Sequence, residues 1–389
     1  MIKPKRLITL CGLILLASLL LNVVPESQGL LQASKTIVFN GTISAQTTGL
    51  PWLHTSGQNI YDSNGNLVKI KASVISNGDG SSVTETDIQN IKAMGFNAIR
   101  WWLYWGGQGG TNLPLQPTPS SINVNYFTVG QGEPSGTSTD NVITWAQNAG
   151  LYVILCPGWS ETHPAPSWSG MGSSQDATPL FYNTQVQSGV YYMYNWIAQR
   201  YASYSNVIFE SMNEIQKAQP VSSADRTAFA NFNAGWLSAI ESGEGANSHL
   251  KIIQMLLDWS EFNYVLTGPF FSGTHANVLM ATHSYAFVDT QMSSYLDYFA
   301  SQWANAIHAQ NLPWIDTEFS TAENTGGSPS QTVGLQQAMD MFTKYNSAGW
   351  GYFCYNSFTN HQGDWNIANS ANAAQIIPIL FSATATLDQ

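Results

Sequence analysis

Thr84-Glu85-Thr86-Asp87-Ile88-Gln89-Asn90-Ile91-Lys92-Ala93-Met94-Gly95-Phe96-Asn97-Ala98-Ile99-Arg100-Trp101-Trp102 holds a helix, a stop and a strand in one line. Ile88 and Ile91 fall three apart on one face of a helix over Thr84 to Met94, and Gly95 is placed to end it. The β-branched and aromatic run that follows, Asn97 to Trp105, reads as a strand. The same alternation extends outward in both directions. Strand-like runs are Val68 to Ser76, Leu151 to Gly158, Asn206 to Glu214, Lys251 to Trp259, Val278 to Phe287, Leu312 to Ser320 and Trp350 to Phe358. Helical patterns between and after them cover Asp140 to Ala149, Pro179 to Ala202, Ala224 to Ser242, Asp289 to Ala309, Gln331 to Ser347 and Ala371 to Phe381. No helix is visible after the fifth strand, and Pro378 is expected to end or kink the last helix.

Strand-helix alternation without intervening hairpins implies a parallel sheet. Eight strands joined by right-handed crossovers close it into an α/β fold, the (β/α)8 TIM barrel. A doubly wound open sheet is the alternative, against which no Gly-x-Gly-x-x-Gly follows the first strand. Before the barrel, Ile60 to Val68 forms two apolar runs around Asn64-Gly65, the signal of a short hairpin. Long polar loops at Gly106 to Thr139, Ser160 to Ala177 and Asn324 to Ser330 follow strand ends, the face where a barrel builds its site.

Residues 1–29 read as an export signal: Lys3, Lys5 and Arg6 precede an apolar run from Leu7 to Val24, broken at Pro25-Glu26-Ser27. The run is also close to the minimum for a spanning helix, so an uncleaved membrane anchor is the alternative to an extracellular, secreted protein. Residues 30–58 form a polar lead-in and 59–389 the barrel. The formal net charge of -11 argues against nucleic acid or an anionic membrane surface as partner. Charged residues make up 10% of the chain and aromatics 12%, a profile suited to an extracellular protein that meets neutral polymers; a monomer is expected. Cys156 and Cys354 fall on the third and eighth strands, which are not neighbours, so no disulfide is expected between them.

Hydrolysis of a glycosidic bond needs a proton for the leaving oxygen and a negative charge beneath the forming oxocarbenium ion. Glu214 and Glu318 lie at or near the ends of the fourth and seventh strands, on opposite sides of the barrel mouth. Arg100, Asn213, His283 and Tyr285 converge on the same rim. Asp316 shares strand parity with Glu318, and a structural role is expected for it, as for Glu210. Histidines at the rim show no close ligand pair such as His-Glu-x-x-His, so neither a metal nor another cofactor is expected.

These motifs resemble glycoside hydrolase family 5, the cellulase family A group, across nearly the whole chain after the signal. Gly95-Phe96-Asn97-Ala98-Ile99-Arg100 resembles the family's second-strand arginine motif, and Phe209-Glu210-Ser211-Met212-Asn213-Glu214 its Asn-Glu signature. His283-Ser284-Tyr285 is similar to its sixth-strand His-x-Tyr, and Pro313-Trp314-Ile315-Asp316-Thr317-Glu318-Phe319 to its nucleophile strand. The resemblance implies Glu214 as acid/base and Glu318 as nucleophile. It further implies Asn213 on the sugar 2-hydroxyl, Tyr285 positioning the nucleophile, and Arg100 and His283 in support.

Two departures stand out. Ile154-Leu155-Cys156-Pro157-Gly158-Trp159 lacks the family's third-strand His, so His163 or Trp159 is expected to enter the site from the loop. The family's eighth-strand Trp aligns with Phe353, although Trp350 lies close by. Sugar rings stack on aromatic faces, and Trp101, Trp102, Tyr104, Trp105, Trp159 and Trp168 are candidates, with Trp105 and Trp159 placed first. The implied activity is retaining endo-β-1,4-glycan hydrolysis on a β-glucan or β-mannan substrate. The rivals are a carbohydrate-binding barrel without turnover, and a lyase or aldolase, for which the strand-end Lys is missing.

Overall fold

The computed structural model describes residues 49–77, 82–104, 115–116, 121–133, 135–158, 178–215, 222–255, 268–285, 292–320, 330–356 and 366–382. A small antiparallel sheet comes first, made of β1 (Leu53–Ser56), β2 (Asn59–Asp62) and β3 (Leu67–Val68). The Asp62 carboxylate closes its turn by accepting from the backbone N–H of Asn64 and Asn66, each at 2.8 Å. β1 lies in the segment that the sequence reading assigns to the lead-in.

The strands that follow are β4 (Ile70–Ile75), β5 (Ala98–Tyr104), β6 (Leu115–Gln116), β7 (Ser121–Ile122), β8 (Tyr152–Gly158), β9 (Val207–Glu210), β10 (Lys251–Gln254), β11 (Val278–Tyr285), β12 (Trp314–Ser320) and β13 (Gly349–Phe353). Apart from the β6–β7 pair, these form one closed barrel in the order β4-β5-β8-β9-β10-β11-β12-β13. All neighbours are parallel, and β13 closes on β4 with Gly349 opposite Ile70.

The helices are α1 (Glu85–Ala93), α2 (Val124–Val129), α3 (Thr139–Ala149), α4 (Thr178–Tyr182), α5 (Thr184–Arg200), α6 (Ser223–Glu244), α7 (Met292–His308), α8 (Ser330–Lys344) and α9 (Ser370–Ser382). Asn183 splits the predicted Pro179–Ala202 helix into α4 and α5, because its side chain accepts from the N–H of Gln185 and Val186 and starts a new helix. The described residues between β10 and β11 carry no helix. Of the two outcomes expected at Pro378, a stop or a kink, the stop is absent: α9 runs through it to Ser382. Packing holds the last turn, since the Phe381 ring lies 5.3 Å from Phe96 and 5.7 Å from Trp350. No helix among the described residues is long and apolar enough to cross a membrane.

Strand alternation sorts the side chains into two cores. Ile99, Trp101, Leu103, Val153, Leu155, Phe209 and Ile253 point outward and pack under the helices. Ala72, Ala98, Ile154, Ile208, Ile252, Leu279 and Ile315 point inward and fill the lower barrel, with Leu53 and Ile60 of the small sheet joining that apolar floor. One step further toward the strand ends the inward positions turn polar: Arg100, Glu210, Gln254, His283 and Thr317 are all fully buried. A protein interior takes such a layer only if its groups satisfy one another.

Candidate active site

Arg100 organises this layer. Its guanidinium donates from Nε to Glu210 Oε2 at 2.6 Å, from Nη1 to Glu318 Oε2 at 2.7 Å, and from Nη2 to Asn213 Oδ1 at 2.7 Å and Cys156 Sγ at 3.1 Å. Burial works against its charge, and the carboxylates of Glu210 and Glu318 help to outweigh it, so Arg100 stays a cation. Glu210, expected as a structural acid, is the other buried carboxylate on that cation. Arg100 takes the Asn213 oxygen, so the end of that amide facing the guanidinium is its acceptor and not its donor.

Glu214 meets a different environment. β9 ends at Glu210, and the chain turns over the rim, with Ser211 N–H donating to Ile252 O at 2.8 Å and Asn213 N–H to Pro157 O at 2.8 Å. Glu214 itself has a φ of 46°, a left-handed conformation that costs a side-chain-bearing residue about 1–2 kcal/mol. Backbone strain of this kind is held where surrounding contacts over-determine it. His283 supplies one such contact, its Nδ1 lying 2.6 Å from Glu214 Oε1. Burial lowers the His283 pKa to about 4, so the ring is neutral near pH 7. A nitrogen of His283 and one oxygen each of Glu214 and Glu318 lie within 4.8 Å of one another. Those three atoms are spaced as cation ligands would be, although the Arg100 charge on Glu318 opposes a second cation there.

A bulge aims Glu318. Along β11 and β12, Thr282 lies opposite Asp316 and His283 opposite Glu318, so Thr317 is an extra residue. The period of two is broken there. Thr317 and Glu318 both reach the interior, whereas Asp316 bonds Thr282 Oγ1 at 3.0 Å, in a patch where Thr282 also takes the Trp314 indole N–H at 2.8 Å. Burial pushes the Asp316 carboxyl well above the usual carboxylate range. On β13, a side chain at Gly351 would put Cβ 2.4 Å from Thr317 O, so glycine lets the neighbouring strand accept the bulge.

The structure thus brings together Arg100, Asn213, Glu214, His283 and Glu318. The Tyr285 backbone pairs with Ser320 on the neighbouring strand; its side chain, like Trp105, Trp159 and His163, lies outside the described residues. Trp350 is a correction. It is 3% exposed and packs edge-on against Phe96 and Phe319, both with centroids at 5.9 Å, on the helix side of the barrel. Strand parity sends Phe353 the other way, against Trp102 at 6.4 Å, and Trp102 in turn lies 5.9 Å from the Arg100 guanidinium carbon. Of the aromatic candidates with described side chains, Trp102 and Phe353 line the mouth and Trp101 is core.

Sequence reasoning passed over three residues. Cys156, on the third strand, takes the fourth Arg100 contact, and burial keeps its thiol protonated. Gln254 and Thr317 join Glu210 and His283 behind the carboxylates. A polar side chain at an inward position near a strand end was the available signal. Cys156 and Cys354 are both buried and are not joined by a disulfide, in keeping with their non-adjacent strands.

A family model described as Cellulase (glycosyl hydrolase family 5) matches residues 61–359. The probable glucan 1,3-beta-glucosidase A of Aspergillus fumigatus is 25% identical over 298 residues, which cover 71% of this chain and 63% of that protein. The chain thus spans less than two thirds of that relative's length. The structure of Thermotoga maritima Cel5A in complex with cellobiose superposes with a TM-score of 0.59 at 14% identity, covering 81% of this chain and 98% of that one. A family 5 xyloglucanase from Paenibacillus pabuli superposes with a TM-score of 0.60 at 16% identity, again over 81% and 98%. At those identities the superpositions speak for the fold alone.

Proposed function

Because the chain belongs to glycosyl hydrolase family 5, the cellulase family, and is a glycoside hydrolase, we propose that it cleaves β-linked polysaccharide with retention of configuration, through Glu318 as nucleophile and Glu214 as acid/base. One observation carries this reading: single oxygens of the two carboxylates approach within 4.8 Å across the mouth, in opposed settings. That spacing agrees with the ~5 Å separation of retaining enzymes rather than the ~6.5–9.5 Å of inverting ones. Arg100 holds Glu318 as an anion ready to attack the anomeric carbon. Glu214, on a neutral imidazole, gives its proton to the leaving oxygen and then takes one from the water that releases the glycosyl-enzyme. Asn213 offers its amide N–H to the sugar 2-hydroxyl, and Trp102 with Phe353 forms the apolar floor.

For substrate we put forward endo-acting cleavage of β-1,4-glucan, or of β-mannan, by a secreted, monomeric chain whose residues 1–29 direct export. The name of the Aspergillus relative favours a second reading, release of glucose from β-1,3-glucan. Assays on carboxymethyl cellulose, mannan, barley glucan and laminarin, read by product length, separate the two. Early oligosaccharides from a β-1,4 polymer support the first; glucose alone from laminarin supports the second.

The mechanism has its own test. Glu318→Gln is expected to lower kcat by several orders of magnitude while oligosaccharide still binds. Glu214→Ala is expected to regain turnover with azide, giving a β-glycosyl azide on an activated substrate. An α-configured first product in NMR would overturn retention.

A further inference from the structure

Gln254 ends β10 fully buried behind the two carboxylates, and its amide nitrogen faces two oxygens and one ring nitrogen. These are Glu210 Oε1 in a short contact, Thr317 Oγ1 at 2.9 Å and His283 Nε2 at 3.1 Å. The orientation of the amide follows from charge. Turned over, it would set its oxygen against Glu210, a carboxylate that already holds Arg100 and offers only lone pairs. The observed orientation leaves the Gln254 oxygen buried with no hydrogen-bond partner among the described residues. A buried orphan acceptor is unfavourable, and it is retained here while the nitrogen faces Glu210 and His283.

From this network we infer that Gln254 is a positioning residue that fixes the tautomer of His283 and, through it, the oxygen of Glu214 that carries the catalytic proton. An amide N–H donated to Nε2 makes that nitrogen an acceptor. A neutral imidazole has a single N–H, which must then sit on Nδ1. Nδ1 faces Glu214 Oε1 at 2.6 Å, with Glu318 Oε2 further off at 3.7 Å. Glu214 Oε1 is therefore held as an acceptor in both protonation states, and the acid's proton resides on Oε2. In the first step that proton passes from Oε2 to the glycosidic oxygen as the C1–O bond breaks; in the second, a water proton returns to Oε2. His283 keeps its one proton throughout.

The competing state is visible in the same cluster. Thr317 Oγ1 lies 3.2 Å from His283 Nε2 and gives its own hydrogen to Glu210 Oε1 at 2.7 Å, so it can accept from an Nε2–H. Without the Gln254 donor the imidazole proton moves there. Nδ1 then becomes an acceptor and draws the Glu214 proton to Oε1, away from the leaving group. Among the described residues, besides Glu214 and Glu318, the charged groups acting on the His283 ring are Arg100 and Glu210, which Gln254→Met leaves in place.

The inference rests on Glu214 as acid/base, but its primary test does not. In the full chain labelled with 15N-histidine, His283 is assigned among the seven histidines by its loss in His283→Gln. The Nδ1-protonated pattern is expected in the wild type and the Nε2-protonated one in Gln254→Met. An Nε2-protonated ring in the wild type overturns the inference even if the variant fails to fold, and so does an Nδ1 tautomer that survives Gln254→Met. In kinetics, Gln254→Met should lower kcat by about tenfold or more with KM nearly unchanged, within the range of general acid catalysis. The basic limb of kcat/KM should move to higher pH, because the ionised Glu214 has lost a donor. An unchanged pH profile contradicts the inference, whereas full activity in Glu214→Ala would instead refute the mechanism and leave the tautomer result standing.

Discussion

At the scale of single residues, two carboxylates of the same kind differ by what touches them. Glu318 meets a buried guanidinium, and Glu214 meets a neutral ring on a strained turn. His283 also links this chemistry to stability. Its pKa is about 4 in the folded protein against 6.5 for a free side chain. Between those values the unfolded chain binds the extra proton, so this residue makes stability rise with pH through that window, and the contribution is lost as pH falls toward 4. Glu133 works in the opposite direction. Burial raises its pKa from 4.5 to about 7, so the folded state binds the proton first and stability falls as pH rises across that range. Urea unfolding at several pH values should show His283→Gln removing the rising component and Glu133→Gln the falling one. Parallel curves for wild type and both variants would contradict the assignment.

At the scale of elements, the bulge between β11 and β12 decides the site. Regular alternation would pair Asp316 with Glu318 on one face, and the extra Thr317 separates them. Gly351 makes room for it on β13, since a Cβ there would meet the Thr317 carbonyl. Gly351→Ala is expected to cost about 1–3 kcal/mol of stability by overpacking. It should also lower kcat more than KM, because the strand carrying Glu318 must shift. A variant destabilised to that extent but with unaltered kcat would show that the bulge does not depend on this glycine.

At the scale of the whole molecule, the barrel wall separates rings that hold the fold from rings that face the mouth. Trp350 and Phe353 are three residues apart on one strand, on opposite faces. Trp350→Ala should destabilise by about 3–5 kcal/mol with KM unchanged, and Phe353→Ala should raise KM at nearly constant stability. A reversed pattern would mean that the faces are assigned wrongly. The strand-helix alternation, the Gly95 stop, the Asn-Gly hairpin and the approximate strand ends carrying Glu214 and Glu318 were legible in the sequence, because periodicity, stops and turns are local. Family resemblance supplied the separate roles of those two acids. Where the local period broke, at the Thr317 bulge, reading along the chain failed. Only the closed barrel decided that Arg100 is shared among Glu210, Asn213, Cys156 and Glu318, and that Gln254 stands behind His283. Those contacts join residues as many as 218 positions apart and depend on how eight strands twist shut, a geometry that no local run of sequence encodes.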